Sequence, residues 1–288
     1  MKQVITVFLM LSLIWGCDKA EPIPAYIRIQ SFTIGASAGG NTMHEVTEGW
    51  VYVNGELLGG FHLPAEIPVL VEGAAEVQIF PGVKVNGLNS SPGIYPMFKR
   101  HIANVTLTAG ETTSIQPTTE YQDNRIFAFP VDKTTFDGNT SINFVNRDFD
   151  EDNTFSVNNN GYEGRCIQMY VDTAHTIMEI AAEQVPLPNT GDVNVWLEMH
   201  HQNDVPFSIQ IVAVDNTGFE TAIPLFLFNP TAAGQWNKIY FNLTDYLPDQ
   251  KKPFYKLFYR LPLPLGTDGK YTATTGTVKL DNIRLVHF

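Results

Sequence analysis

The chain has 288 residues, a formal net charge of −12 at pH 7 and a sequence pI near 4.9. An acidic balance of that size argues against nucleic acid and anionic lipid surfaces as partners. Cys17 and Cys166 are the only cysteines, so a disulfide framework is excluded, and the length suits one or two domains.

Met1 and Lys2 precede an apolar run from Val4 to Trp15, which is followed by Gly16 and Cys17. A charged start, about a dozen apolar residues and a small residue at the cut describe a secretory signal. The run is too short for a spanning helix of about 20 residues. Ile14-Trp15-Gly16-Cys17 resembles the lipobox of bacterial lipoproteins, with Trp15 standing where a small residue is usual. That resemblance implies removal of residues 1–16, acylation of Cys17 and attachment to the outer membrane through lipid, since several chains on one residue hold stably. Residues 17–25 then form a tether stiffened by Pro22 and Pro24. Its acidic residues resemble the signals of Bacteroidota-type lipoproteins, which implies exposure at the cell surface.

From 26 to 119 short β-type runs alternate with turn residues, the pattern of an all-β domain. Asn54-Gly55, between Val51-Tyr52-Val53 and Glu56-Leu57-Leu58, predicts a two-residue hairpin turn, because both positions accept positive φ. Further runs fall at 67–71, 76–80, 104–107 and 113–116. The Val51–Gly55 run, Gly59-Gly60 and Val77–Gly82 resemble PEGA-like or Ig-like sandwiches, modules that act as spacers or adhesive domains. Residues 120–132, with Pro130 and mixed polarity, read as a linker.

Residues 133–288 hold about eight more strands by period-2 alternation. Val193, Val195, Leu197 and Met199 alternate with Asn194, Trp196, Glu198 and His200; Ile239, Phe241 and Leu243 alternate with Lys238, Tyr240 and Asn242. Thr173–Glu183 is the one stretch with helical character. Near the C-terminus the apolar parity switches between Val278/Leu280 and Ile283/Leu285, which predicts a β-bulge at Asp281-Asn282. Phe136-Asp137-Gly138, Val195–Glu198, Gln235–Leu243 and Leu280–Leu285 resemble galactose-binding-like jelly rolls, a fold widespread among carbohydrate-binding modules. The expected architecture is therefore all-β, with two β-sandwich domains of which the C-terminal one is a jelly roll.

The same parity collects a candidate ligand face from Trp196, Glu198, His200, Lys238, Tyr240, Gln168 and Tyr170. Aromatic rings with a carboxylate and amide or amine donors suit a glycan. They equally suit a protein interface, including one between the two domains. The jelly-roll resemblance implies a structural calcium with Asp137 and Asp281 as ligands. Asp148–Asn153 invites a calcium reading too, but lacks the EF-hand's turn glycine and terminal bidentate Glu and reads as a solvated acidic turn. His200 and His201, adjacent on a strand, point to opposite faces and make a poor metal pair. No nucleophile elbow, phosphate loop or zinc-protease motif occurs. The expectation is a non-catalytic binding or scaffold protein with an outer-membrane protein partner. Glycan presentation for uptake is the alternative, and a paired-carboxylate glycoside hydrolase is a weaker one.

Overall fold

The computed structural model describes residues 21–35, 44–138 and 141–288. The expected signal, Cys17 and the first part of the expected tether lie outside the described residues. Among those described, no helix is long and apolar enough to cross a membrane.

The first part comprises β1 (Ala25–Ile29), β2 (Thr33–Ile34), β3 (Glu48–Val53), β4 (Glu56–His62), β5 (Ala65–Val69), β6 (Gly73–Lys84), β7 (Pro92–Ile94), β8 (His101–Leu107), β9 (Thr112–Ile115) and β10 (Thr118–Thr119). Asn54 (φ 49°) and Gly55 (φ 84°) make the tight turn between β3 and β4. One sheet has the order β5-β1-β9 and a second has β4-β3-β6-β7, with β8 also on β6, while β2 and β10 pair as a short third sheet. Ile27 and Ile29 of β1 meet Val51 and Val53 of β3 and Val77 and Ile79 of β6 in a shared core.

The chain continues through β11 (Ile126–Phe127), a one-turn helix α1 (Val131–Thr134), β12 (Phe144–Asn146), β13 (Ser156–Asn158), β14 (Cys166–Asp172), β15 (Ile177–Ala182) and β16 (Val195–Asn203). It ends with β17 (Phe207–Val214), β18 (Glu220–Phe228), β19 (Asn237–Asn242), β20 (Phe254–Pro262) and β21 (Thr275–His287). Two antiparallel sheets result, β13-β14-β21-β16-β19 with β11 at the end of β21, and β12-β15-β20-β17-β18. Successive strands cross repeatedly between them, and one core fills the gap.

Three expectations need adjustment or refinement. Thr173–Glu183 is not helical: Met178, Ile180 and Ala182 of β15 turn inward with period 2, and β-branched residues favour the pleat. Residues 120–132 are no free linker, because Tyr121 sits in the first core, Phe129 in the second, and β11 pairs with β21. The bulge is present: Asn282 takes φ 50°, the β16–β21 register shifts opposite Glu198 and His200, and Val278, Leu280, Ile283 and Leu285 are all buried.

Candidate functional site

Alternation places Trp196, Glu198, His200, Lys238 and Tyr240 on one face of the sheet, but that face is covered. All five are buried, and Trp196, Tyr240 and Val286 belong to the first core. The expected solvent-facing ligand surface is corrected here: its central part is an internal seam. The first sandwich lids this face with Tyr95 and Tyr121, whose phenols reach Glu198, while Trp196 Nε1, His200 Nδ1 and Arg284 Nε and Nη2 beneath it show no hydrogen-bond partner among the described residues.

Glu198 is the centre of the seam. Its Oε1 accepts hydrogen bonds from the phenols of Tyr95 (2.5 Å) and Tyr121 (2.7 Å), while Oε2 lies 2.9 Å from the Lys238 ammonium. The Tyr121 hydroxyl in turn accepts from Nη1 of Arg284 at 3.2 Å. Burial by itself would raise the Glu198 carboxyl; Lys238, Arg284 and the two phenols outweigh it and hold the group below the usual carboxylate range. Burial pulls the Lys238 ammonium down, with Glu198 opposing. Burial, followed by the charges of Lys238 and Arg284, pushes the His200 imidazole to about 2, so it is neutral at physiological pH and stacks on Tyr162 at 4.3 Å. Rings of Tyr95, Trp196 and Tyr240 pack edge to face around the carboxylate.

Backbone closes the seam at the sheet edge. The main-chain N–H of Asn86 donates to the Tyr240 carbonyl, and that of Asn242 donates to the Asn86 side chain, both at 2.9 Å. The Tyr240 hydroxyl accepts from the Glu45 amide at 3.2 Å. Strand β19 would otherwise be an open edge.

Gln168 and Tyr170 stand apart from this cluster. They lie on the part of the same face that the first sandwich leaves uncovered, where Gln168 on β14 aligns with Lys279 on β21 and Lys279 with Gln202 on β16. With Asp204, Thr277 and the Thr231–Gly234 loop these side chains line a groove of about 420 Å³. Tyr170, 38% exposed, opposes Thr277 beside it.

Asp137 and Asp281 converge on the loop before β14. Oδ2 of Asp281 accepts the main-chain N–H groups of Tyr162 (3.0 Å) and Glu163 (3.3 Å), and Oδ1 of Asp137 accepts that of Arg165 (2.7 Å). Burial, with Asp137 adding like charge, lifts the Asp281 carboxyl to about 7 despite those hydrogen bonds. Carboxylate oxygens suit calcium, but both oxygens of Asp281 and Oδ1 of Asp137 already accept main-chain N–H groups, so a cation here would compete with those donors. Among the described residues no third His, Cys, Asp or Glu joins them, so further ligands would have to be carbonyls or water.

The remaining candidates are structural. Asp148 and Asp150 cap the main chain of their own turn, and Asp150 also meets His175 at 2.6 Å. His201 faces Phe207 and Phe228, on the side opposite His200. Cys166 is buried, and desolvation raises its thiol to about 11, which makes it a poor nucleophile. Tyr95, Tyr121 and Arg284 escaped sequence reasoning. For Arg284 a signal existed, since a bulge at Asn282 puts it on the Glu198 face; the two tyrosines come from another sandwich and carried none.

No protein-family model matches this sequence, and no curated protein matches it. Similar solved structures include the enzymatically active domain of tailspike protein 4 from bacteriophage CBA120, at 12% identity and TM-score 0.40, covering 56% of this chain and 21% of that one. Another is the CBM22-1 xylan-binding domain of Paenibacillus barcinonensis Xyn10C, at 13% identity and TM-score 0.38, covering 54% and 91%. A third is the family 11 carbohydrate-binding module of Clostridium thermocellum Lic26A-Cel5E, at 12% and 0.33, covering 53% and 91%. The chain thus spans about a fifth of the tailspike domain and most of each binding module. The chain itself is an all-β protein, with two packed sheets in its C-terminal half.

Proposed function

We propose that this protein is a non-catalytic, lipid-anchored binding protein of the cell envelope that takes a glycan in the open groove of the second sandwich. The row Gln168, Lys279 and Gln202 across three adjacent strands carries the reading, because it sets amide and ammonium groups side by side over a groove of about 420 Å³. Two threonine hydroxyls and Asp204 extend the set, and Tyr170 offers a ring face. Directional donors and acceptors beside an aromatic face are what a sugar's hydroxyls and apolar side require. The groove has one carboxylate, Asp204, whereas glycoside hydrolysis uses two flanking the bond. Acylation at Cys17 would confine this site to the outer membrane, where effective concentration supplements affinity. Asp137 and Asp281 would hold a structural calcium beneath the loop they share.

Affinity electrophoresis against a panel of polysaccharides tests the reading. The wild type is expected to be retarded by at least one. Tyr170→Ala and Gln168→Ala should each weaken binding about tenfold, the equivalent of ~1.4 kcal/mol, with unchanged melting. Migration unaffected by every polysaccharide would overturn it.

One observation favours a second reading, a scaffold subunit bound to an outer-membrane protein. On the outer face of the first sandwich, Tyr52 and Phe80 pack edge to face at 5.3 Å, Arg100 lies 5.5 Å from the Phe80 ring, and exposed Leu57 and Ile102 share the rows. Aromatic residues and arginine are the usual anchors of protein interfaces. Cross-linking followed by mild-detergent purification should recover a stoichiometric membrane protein with the wild type and not with Tyr52→Ala. Recovery of the wild type alone would eliminate this reading.

A further inference from the structure

A separate cavity of about 340 Å³ opens where the second sandwich is unsealed, between the edge strands β18 and β19 of its two sheets. Phe226 and Phe228 come from β18, and Asn237 and Ile239 from β19. Asn229 follows β18, and Glu45, Lys84 and Asn89 of the first sandwich close the other side. Neither sandwich forms this space by itself. We propose that it is a second binding site, for a neutral sugar of one or two rings, assembled jointly by both sandwiches.

Three observations select that ligand class. The volume lies at the small end of ligand-sized pockets, which run from about 300 to 1,000 Å³. The charges compensate, because the Glu45 carboxylate faces Lys84 and Lys238, and Lys238 is itself paired with Glu198. With one acidic and two basic side chains in the lining, and Glu198 behind it paired with Lys238, the net charge is small and gives a charged ligand little advantage over a polyol. Finally, Asn89, Asn229 and Asn237 bring three amide side chains to a wall that also carries the partly exposed Phe226 ring, backed by the buried Phe228, so hydroxyls and the apolar face of a sugar both find partners. A ligand here would touch both sandwiches and so strengthen the seam.

The inference extends the glycan reading to a different site, and the test separates the two. Isothermal titration would be run with cellobiose, galactobiose and N,N′-diacetylchitobiose, using wild type, Asn229→Ala, Asn237→Ala and Gln168→Ala. The expected result is that at least one disaccharide binds, that Asn229→Ala and Asn237→Ala each weaken it about tenfold or more, and that Gln168→Ala leaves it unchanged. Asn229 is exposed, so its variant keeps the fold even if Asn237→Ala does not. Hydrogen exchange should show ligand protection in both 84–89 and 237–240. Loss of binding with Gln168→Ala alone would overturn the seam site and leave the groove standing. No binding of any of the three disaccharides would overturn the seam site, while polysaccharide retardation would still decide the groove.

Discussion

Replacing Glu198 by Gln tests whether the two sandwiches are held together by a compensated charge cluster. The substitution keeps shape and one acceptor oxygen for the tyrosine phenols, but removes the carboxylate charge that meets Tyr95, Tyr121 and Lys238. Lys238 and Arg284, both buried, then lose the carboxylate they share, and Glu45 is left as an acidic neighbour of Lys238. Two unit charges 2.9 Å apart at an effective dielectric near 20 attract by about 6 kcal/mol before desolvation is counted. Breaking such a buried pair from one side costs about 3–5 kcal/mol. At ~2–4 °C per kcal/mol for a chain of this size, the melting temperature should fall by roughly 10 °C. Lys238→Met should cost clearly less, because Glu198 and Arg284 remain as a balanced pair linked through the Tyr121 hydroxyl. Urea unfolding followed by far-ultraviolet circular dichroism and by tryptophan fluorescence would read both variants. A Glu198→Gln loss below about 1 kcal/mol, or a larger loss for Lys238→Met, would refute the cluster as the fastening of the seam.

Other consequences are independent of the seam. Glu220 at the start of edge strand β18 receives both Arg147, which follows the opposite edge strand β12, and Lys256 of β20, so one carboxylate braces the sheet from edge to edge. Arg147 chiefly, with Lys256, holds its carboxyl at about 2 against burial. A depressed carboxylate contributes stability above pH 4.5 that is lost as pH falls toward 2. Glu220→Gln should therefore cost about 1–2 kcal/mol at pH 7, after discounting for partial exposure, and progressively less as pH falls to 2 in a pH series of urea melts. Gly164 (φ 68°) leaves no room for a Cβ, which would collide with the Asp137 carboxylate. Gly164→Ala should cost more than about 2 kcal/mol, whereas Gly218→Ala, at φ 86° with open space around it, should cost about 1, both read by thermal melting. If Asp137 and Asp281 hold calcium, a concentration near 100 times the dissociation constant should add about 2.7 kcal/mol relative to EDTA, and Asp281→Asn should abolish the gain. An equal melting temperature with and without calcium would remove that assignment.

The chain's own pattern determined the strands, the hairpin turn at Asn54-Gly55, the bulge at Asn282 and the fact that Trp196, Glu198 and His200 share a face. Each of these follows from local backbone chemistry: a two-residue side-chain period, a positive φ, a parity switch. Thr173–Glu183 shows where such signals fail, since its mixture of Ile, Ala and Glu permits either period until β20 pairs with it. What stands over a face is not a local property. Tyr95 and Tyr121 reach Glu198 from 103 and 77 residues away, and no periodicity announces a contact over that separation. Only the docking of one sandwich on the other decided that Trp196 and Tyr240 are core and that Gln168 and Tyr170 remain open. Alternation says which side of a sheet a residue occupies; burial depends on which other surface desolvates that side.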